Sequence, residues 1–442
     1  MTDKKPEMNT KDPSSKPSQK KEKPIKLSED ARMRLMLNNK MKEMETEFDI
    51  NEHIVIDLGN ALTKIGFSGE DLPIITIPSI YAKSKIADSD KKNEISAYEQ
   101  KMDIFGYEAL DEKYTTDYNI NFLTPGDHKL PTSYEYLEFL KDALENKMGI
   151  SPTDYSVIVN VSPIKNRDNI DIYGKIFLEE LGFRAMALVN SSSLSLFSTG
   201  RTSGLIVECG ETRTYTVPLF EGFPLYHALN KNKLGGRDLT QLYRECIIEE
   251  KFNVRDSDIS VLREIKEKTC AVPYKHPYTY YLNEDNEDII SQQQMLYKLP
   301  DESIIQIPRK YRVLAGELLF DPSVVNRNEN GLKHLIVNSI KKSTIDNEKF
   351  KETLLNNIVL SGGTTMMTGF GERIQQDLVN YEDNEFNVDF MPNVIGENNR
   401  YISKWIGMSM IASMSAFEKI FIKKTEYMEY GEDRFAMMAK IF

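Results

Sequence analysis

Two stretches far apart in the chain follow one plan, and this repetition constrains the fold more than any other feature. In the first, His53, Ile54, Val55 and Ile56 run apolar into Asp57. Leu58 and Gly59 come next, and a second strand is expected through residues 64–68. In the second, Leu205, Ile206 and Val207 lead to Glu208, Cys209 and Gly210, and residues 214–220 return as a strand. Strand, acid, spacer, glycine turn, strand: the device is a hairpin, used twice. A turn carrying an acid and a glycine exposes backbone N–H groups beside a carboxylate, which suits phosphate oxygens and a hydrated divalent cation. One such hairpin is a weak signal for that chemistry, and two, at a spacing of one α/β unit, are a much stronger one.

Each hairpin is followed by α/β punctuation. Helical patterns are predicted over 134–147, 167–181, 192–199, 238–250 and 260–270, with Gly182 and Gly200 as stops. Strands are predicted at 156–161 and 186–190. Residues 273–312 are polar and irregular, with short strands near 297–299 and 304–307. A third signal lies at 356–371, NNIVLSGGTTMMTGFG, before a helix expected from Glu372. A strand running into Gly362, Gly363 and Thr364 is a close-approach turn over a ligand.

The chain has 442 residues, three cysteines (Cys209, Cys246 and Cys270) and a net charge of −12. The acidic balance argues against broad binding to nucleic acid or to anionic lipid. Wide cysteine spacing without a CxxC argues against a disulfide framework or a structural zinc site, and for a reducing compartment. No apolar run reaches the roughly 18 residues of a membrane span. Residues 1–26 are rich in Lys, Pro, Ser and acids, a composition that predicts a disordered tail. Residues 27–47 predict an amphipathic helical arm. Ser28 is its N-cap, and Met33, Leu37, Met41 and Met44 share one face, fit to pack on a partner or on the chain's own body.

Several of these motifs resemble the actin and actin-related protein family. The likeness runs from about residue 53 to the C-terminus. It rests on DLGNALTKIGFSGED (57–71), FSTGRTSGL (197–205), TVPLFEG (216–222), LGGRDLT (234–240), IKEKTCAV (265–272), NNIVLSGGTTM (356–366), WIGMSMIASMSAF (405–417) and KKTEY (423–427). The resemblance implies an α/β, actin-like two-lobe fold: duplicated βββαβα-type units and four subdomains around a nucleotide cleft. The small lobe would hold 48–198 and 401–442, with a divergent tip at 79–104. The large lobe would hold 199–400, with 235–332 as its upper subdomain.

The same resemblance implies ATP or ADP with magnesium in the cleft. Gly59, Asn60, Ala61 and Leu62 would line the first phosphate loop, and Lys64 would reach the phosphates. Gly210, Glu211 and Thr212 would form the second loop. Gly236, Lys266, Glu267, Gly363, Thr364, Met366 and Tyr401 would surround the adenosine. Asp57 and Glu208 would hold magnesium through water.

Departures from the family pattern are as informative. The family's water-positioning glutamine falls at Ser191, too short to reach that water. Its second magnesium-side aspartate is Glu208, longer by one methylene, about 1.5 Å. Its proton-relaying histidine falls at Tyr215, a poor base at neutral pH. Thr212 replaces a glycine, and Tyr401 replaces a lysine over the adenine. No catalytic residue is therefore expected, because losing a positioned acid–base group costs about 10²–10⁴ in rate. The tip segment 82–104 is charged and lacks the Gly- and Met-containing loop of conventional actin. Phe197, Gly200, Ile406 and Met410 keep the apolar cleft that would receive such a loop. The expectation is a non-conventional subunit of a larger protein assembly, bound through the arm and the Phe197/Ile406 cleft, rather than a self-filament. That assembly is expected to be cytoskeletal, dynein-associated or axonemal, with weak or absent hydrolysis, in the cytoplasm or a cilium. The alternatives are a nuclear subunit of a chromatin-remodelling complex and a polymerising ATPase. A sugar-kinase reading lacks a base beside an acceptor, and a chaperone reading lacks a substrate domain.

Overall fold

The computed structural model describes residues 53–84, 104–111, 118–123, 134–163, 170–249, 259–283, 285–286, 296–299, 302, 304–345, 347–379 and 391–430. The expected tail 1–26, the arm 27–47 and residues 85–103 of the tip lie outside the described residues.

Two mixed sheets form the frame, each built by the same route. In the first, β1 (His53–Leu58), β2 (Leu62–Phe67) and β3 (Ile75–Pro78) form an antiparallel meander. Strands β7 (Ser156–Val161) and β8 (Ala185–Asn190) then add in parallel on the far side of β1, and β17 (Ile422–Lys423) closes that edge. In the second, β9 (Gly204–Cys209), β10 (Thr214–Phe220) and β11 (Phe223–Pro224) form the meander, and β12 (Asn230–Asn232) pairs with β10. Strands β15 (Ile358–Ser361) and β16 (Val394–Ile395) add in parallel beside β9. The internal repeat of the two hairpins, and the duplicated units that the family resemblance implies, appear here as a duplication of sheet topology. β4 (Ile80–Ser84), β5 (Ile104–Phe105) and β6 (Tyr118–Phe122) make a small antiparallel sheet. β13 (Leu296–Lys298) and β14 (Ile304–Gln306) make a two-stranded one.

The parallel strands at the centre of each sheet are apolar on both faces, as strands covered from both sides must be. Val55, Ile158, Ala187 and Val189 pack with Leu194 and Trp405 in one core. Leu205, Val207, Ile358 and Leu360 face a larger core that includes Leu239, Ile265, Ile336 and Phe370. The helices packed on these sheets include α1 (Ser191–Phe197), α2 (Gly236–Glu249), α3 (Ile259–Thr269), α4 (Phe370–Val379) and α5 (Ser403–Ala412). Strand β2 begins at Leu62, before the expected position, since Leu58 and Thr63 already face each other across the turn. Helix α2 begins at Gly236 rather than at residue 238. The Asp238 carboxylate reaches back to the Gly235 N–H at 3.0 Å and so sits inside the first turn. No helix among the described residues is long and apolar enough to cross a membrane.

Helix α5 bridges the two halves and is held by close backbone approach. A Cβ on Gly407 would lie 2.1 Å from the Leu194 carbonyl oxygen of α1, and one on Gly66 would lie 2.7 Å from the Trp405 ring. Trp405 is fully buried, and its indole N–H donates to the Val55 carbonyl at 3.3 Å. This packing fixes the rotation of α5 and turns its single charged residue, Lys404, toward the two hairpins.

Candidate functional site

The turns after β1 and β9 meet across a cleft of about 460 Å³, with the turn after β15 forming a third wall. That volume is in the range of small-molecule sites. Every residue expected at the site lines the cleft except Gly236. Gly236 lies directly behind the wall: a Cβ there would come within 3.2 Å of Lys266 Nζ and 2.9 Å of Glu211 Oε2 and Thr364 Oγ1.

In the first hairpin, strand register places Asp57 opposite Lys64. Both are buried, and Lys64 Nζ donates to Asp57 Oδ2 at 2.7 Å. Asn160, from the end of β7, donates to Asp57 Oδ1 at 2.8 Å and accepts from the Leu58 N–H at 2.8 Å. Burial pushes the Asp57 carboxyl up. Lys64 and Lys404, with the Lys64 and Asn160 hydrogen bonds, outweigh that and hold it below the ordinary aspartate value.

In the second hairpin, Glu208 occupies the corresponding slot, opposite Tyr215. The Tyr215 hydroxyl donates to Glu208 Oε2, and Ser191 Oγ lies 3.1 Å from the same hydroxyl. Lys404 donates to Glu208 Oε1. The three family departures at Ser191, Glu208 and Tyr215 are therefore one connected chain that ends on Lys404. The extra methylene of Glu208 carries its carboxylate out to both donors. Burial raises the Tyr215 hydroxyl well above its ordinary value and Glu208 adds to this, so Tyr215 stays protonated at neutral pH. Burial depresses the Lys404 ammonium, but Glu208 and Asp57 more than offset this and raise it. Lys404 is thus a fixed positive charge.

The turns are also tied to each other. Asn60 Nδ2 donates to Thr212 Oγ1 at 2.6 Å, so the hydroxyl that replaces a family glycine links the first loop to the second. Thr364 Oγ1 donates to the Gly210 carbonyl at 2.9 Å, and the Gly236 N–H reaches that carbonyl at 2.9 Å. Gly362 has φ of 92°, and its Cβ would lie 2.4 Å from the Cys209 carbonyl, so glycine is required there. At Gly363 a Cβ would meet nothing within 4 Å: this stretch of wall is open. Lys266 is buried and donates to the Gly236 carbonyl at 2.9 Å, and burial lowers its ammonium pKa. Glu267 is largely exposed, 3.3 Å from Arg263. Met366 and Tyr401 are partly exposed at the mouth.

Motif spacing misses mainly the cationic residues of the cleft. Lys404, Arg213, Arg263 and Arg400 all line it, as does Asn160. Lys404 has a usable signal: it is the one charged residue in the otherwise apolar stretch 403–417. Arg213 directly follows the second phosphate loop. Asn160 has none, since a polar residue at a strand end is ordinary.

The cleft fits an adenine nucleotide. It offers two glycine turns, an open glycine wall at Gly363 and lysines at its floor. Each oxygen of Asp57 and of Glu208 accepts one hydrogen bond from a side chain, so a hydrated divalent cation would share these carboxylates with two ammonium groups.

Comparison with known proteins agrees with this architecture. The family model Actin matches residues 48–259 and 249–440. A protein of Dictyostelium discoideum described as putative actin-29 is 31% identical over 384 residues, covering 86% of this chain and 95% of the relative. Members of this family generally bind ATP or ADP with magnesium. With a family match over nearly all of the described residues and a mixed α/β fold consistent with it, the chain belongs to the actin and actin-related protein family.

Proposed function

We propose that this chain is a non-conventional actin-related subunit of a cytoplasmic, cytoskeletal assembly. It holds an adenine nucleotide to fix its two halves against each other and hydrolyses it slowly or not at all. The observation that carries the reading is the chain from Ser191 through Tyr215 and Glu208 to Lys404. Each side chain that would position a water or accept its proton is committed to a neighbour, and Tyr215 is held protonated. The bound nucleotide would supply a polyphosphate linking the turns after β1 and β9 and an adenosine against the turn after β15. Lys64 would stand at the phosphates, and Lys266 and Thr364 would shape the adenosine side.

An assembly role is supported by the surface between α1 and α5. Phe197 and Ile406 are half-buried, and Met410 is exposed on the same helix as Ile406. On this proposal the apolar cleft receives a segment of another subunit, and the arm 27–47 provides a second attachment.

Nucleotide occupancy tests the proposal. Full-length protein purified without added nucleotide is expected to release ADP or ATP on acid treatment. Nucleotide at 100 times its dissociation constant is expected to stabilise it by about 2.7 kcal/mol. An empty protein that no adenine nucleotide stabilises would overturn it.

A further inference from the structure

We propose that Lys404 supplies, from within the protein, the countercharge that the nucleotide's phosphates require, so that this cleft binds ADP or ATP without a divalent cation. The inference rests on the nucleotide reading proposed for the cleft and adds to it the electrostatics of the site.

Three observations carry it. The first is position. Lys404 lies in the cleft wall with about 20% of its side chain exposed, and it is bonded to Glu208 between the two phosphate turns. An ammonium has three donors, and the Glu208 bond uses one. The second is the state of the carboxylates. A divalent cation held through water draws on carboxylate oxygens as acceptors for that water, and each such oxygen offers two lone-pair sites. Here Lys64 and Asn160 occupy Asp57, while Lys404 and Tyr215 occupy Glu208. A metal entering would share these oxygens with the ammonium groups and would meet Lys64 and Lys404 as like charges at short range.

The third is charge balance. The chain as a whole carries −12. Among the described lining residues of the cleft, six side chains are cationic and four are carboxylates. A locally cationic cleft on an acidic protein attracts a polyphosphate directly. A magnesium-dependent site has the opposite need, since unpaired carboxylates must be neutralised before phosphates can approach. Lysine also suits the task chemically, as a compact point charge on a flexible stem that can turn between Glu208 and a phosphate oxygen.

The test measures binding rather than turnover, with full-length protein and a fluorescent ADP analogue, in chelator and then in millimolar magnesium. Wild-type protein is expected to bind with little difference between the two. Lys404→Met keeps side-chain length and removes the charge. It is expected to bind about 10- to 100-fold more weakly in chelator, the scale of a lost charged hydrogen bond. Magnesium is expected to restore part of that loss, because Glu208 is then free to accept from hydrated metal. Should Lys404→Met fold poorly, the pair Lys404→Met with Glu208→Gln removes both charges; it is expected to bind weakly in either condition, with no rescue by magnesium. Wild-type binding that appears only with magnesium would overturn the inference and leave the nucleotide reading standing. Absence of binding in both conditions would overturn the two together.

Discussion

The two hairpins share a register and differ in where their countercharge comes from. Asp57 faces Lys64 and Glu208 faces Tyr215, in equivalent slots of equivalent sheets. In the first hairpin the cation is a cross-strand neighbour, so acid and base are set by one local element. In the second the cross-strand neighbour is a neutral phenol, and the cation arrives from α5, 196 residues later in the chain. The first pair can form as soon as β1 and β2 meet. The second exists only when α5 has packed on Gly66 and Leu194. One hairpin carries its nearest countercharge within itself, while the other draws it from α5.

Removing Lys404 gives the largest expected effect. Lys404→Met leaves Glu208 buried with Tyr215 alone and also weakens the field at Asp57. Its cost should be about 3–5 kcal/mol, the scale for an uncompensated buried charge. Lys64→Met should cost less, because Asp57 keeps Asn160 and the nearby Lys404. Chemical denaturation of the two variants orders them, and an equal or reversed order would break the claim that α5 serves both hairpins.

Tyr215→Phe comes next. It removes one donor to Glu208 and the partner of Ser191 while keeping the ring, and should cost about 1.5–3 kcal/mol. In the first hairpin, Asn160→Leu should cost at least as much, since it removes one neutral donor from Asp57 and also the acceptor of the Leu58 N–H. A Tyr215→Phe variant as stable as the wild type would mean that the Ser191–Glu208 chain contributes nothing to the fold.

Smaller again is Asn60→Ala, which cuts the Asn60–Thr212 link between the two turns. The expected loss is about 1 kcal/mol. Because the link spans the cleft, nucleotide should offset part of it, so the variant's thermal shift on ADP binding should exceed that of the wild type.

The smallest effect concerns His53, at the start of β1, stacked on Phe421 at 4.3 Å. Burial depresses its pKa, partly opposed by Glu418. The unfolded chain then binds more protons between the folded value and the ordinary value of about 6.5. Stability from this group is present above that window and is lost as pH falls through it. Melting temperature should decline slightly from pH 7 toward pH 5, and His53→Phe should flatten that part of the slope.

Much of this architecture is legible in the sequence because it is local. An acid and a glycine at the end of an apolar run mark a hairpin wherever they occur, and the two copies announce two sheets. The Gly362–Gly363 turn can be read for the same reason. The residues that resist reading act across the chain. Asn160 is an ordinary strand end until β7 lies beside β1. Lys404 is a lone charge in an apolar helix whose facing is set by Gly66 and Gly407, and periodicity alone gives no sign that it points at Glu208. The departures at Ser191, Glu208 and Tyr215 are visible one at a time, but their hydrogen-bonded connection requires the register of β9 against β10. The arm 27–47, with Met33 and Met41 on its expected apolar face, lies outside the described residues and stands as a proposal.

The central claim is that the second hairpin's polar groups hold structure in place of performing hydrolysis, and single-turnover ATP hydrolysis tests it most directly. Full-length protein and a conventional actin, each loaded with ATP and followed under one condition, are compared by their first-order rates. The account predicts a rate lower by at least about 10²-fold, the scale for loss of a positioned acid–base group. A rate equal to that of the conventional actin, or faster, would contradict it.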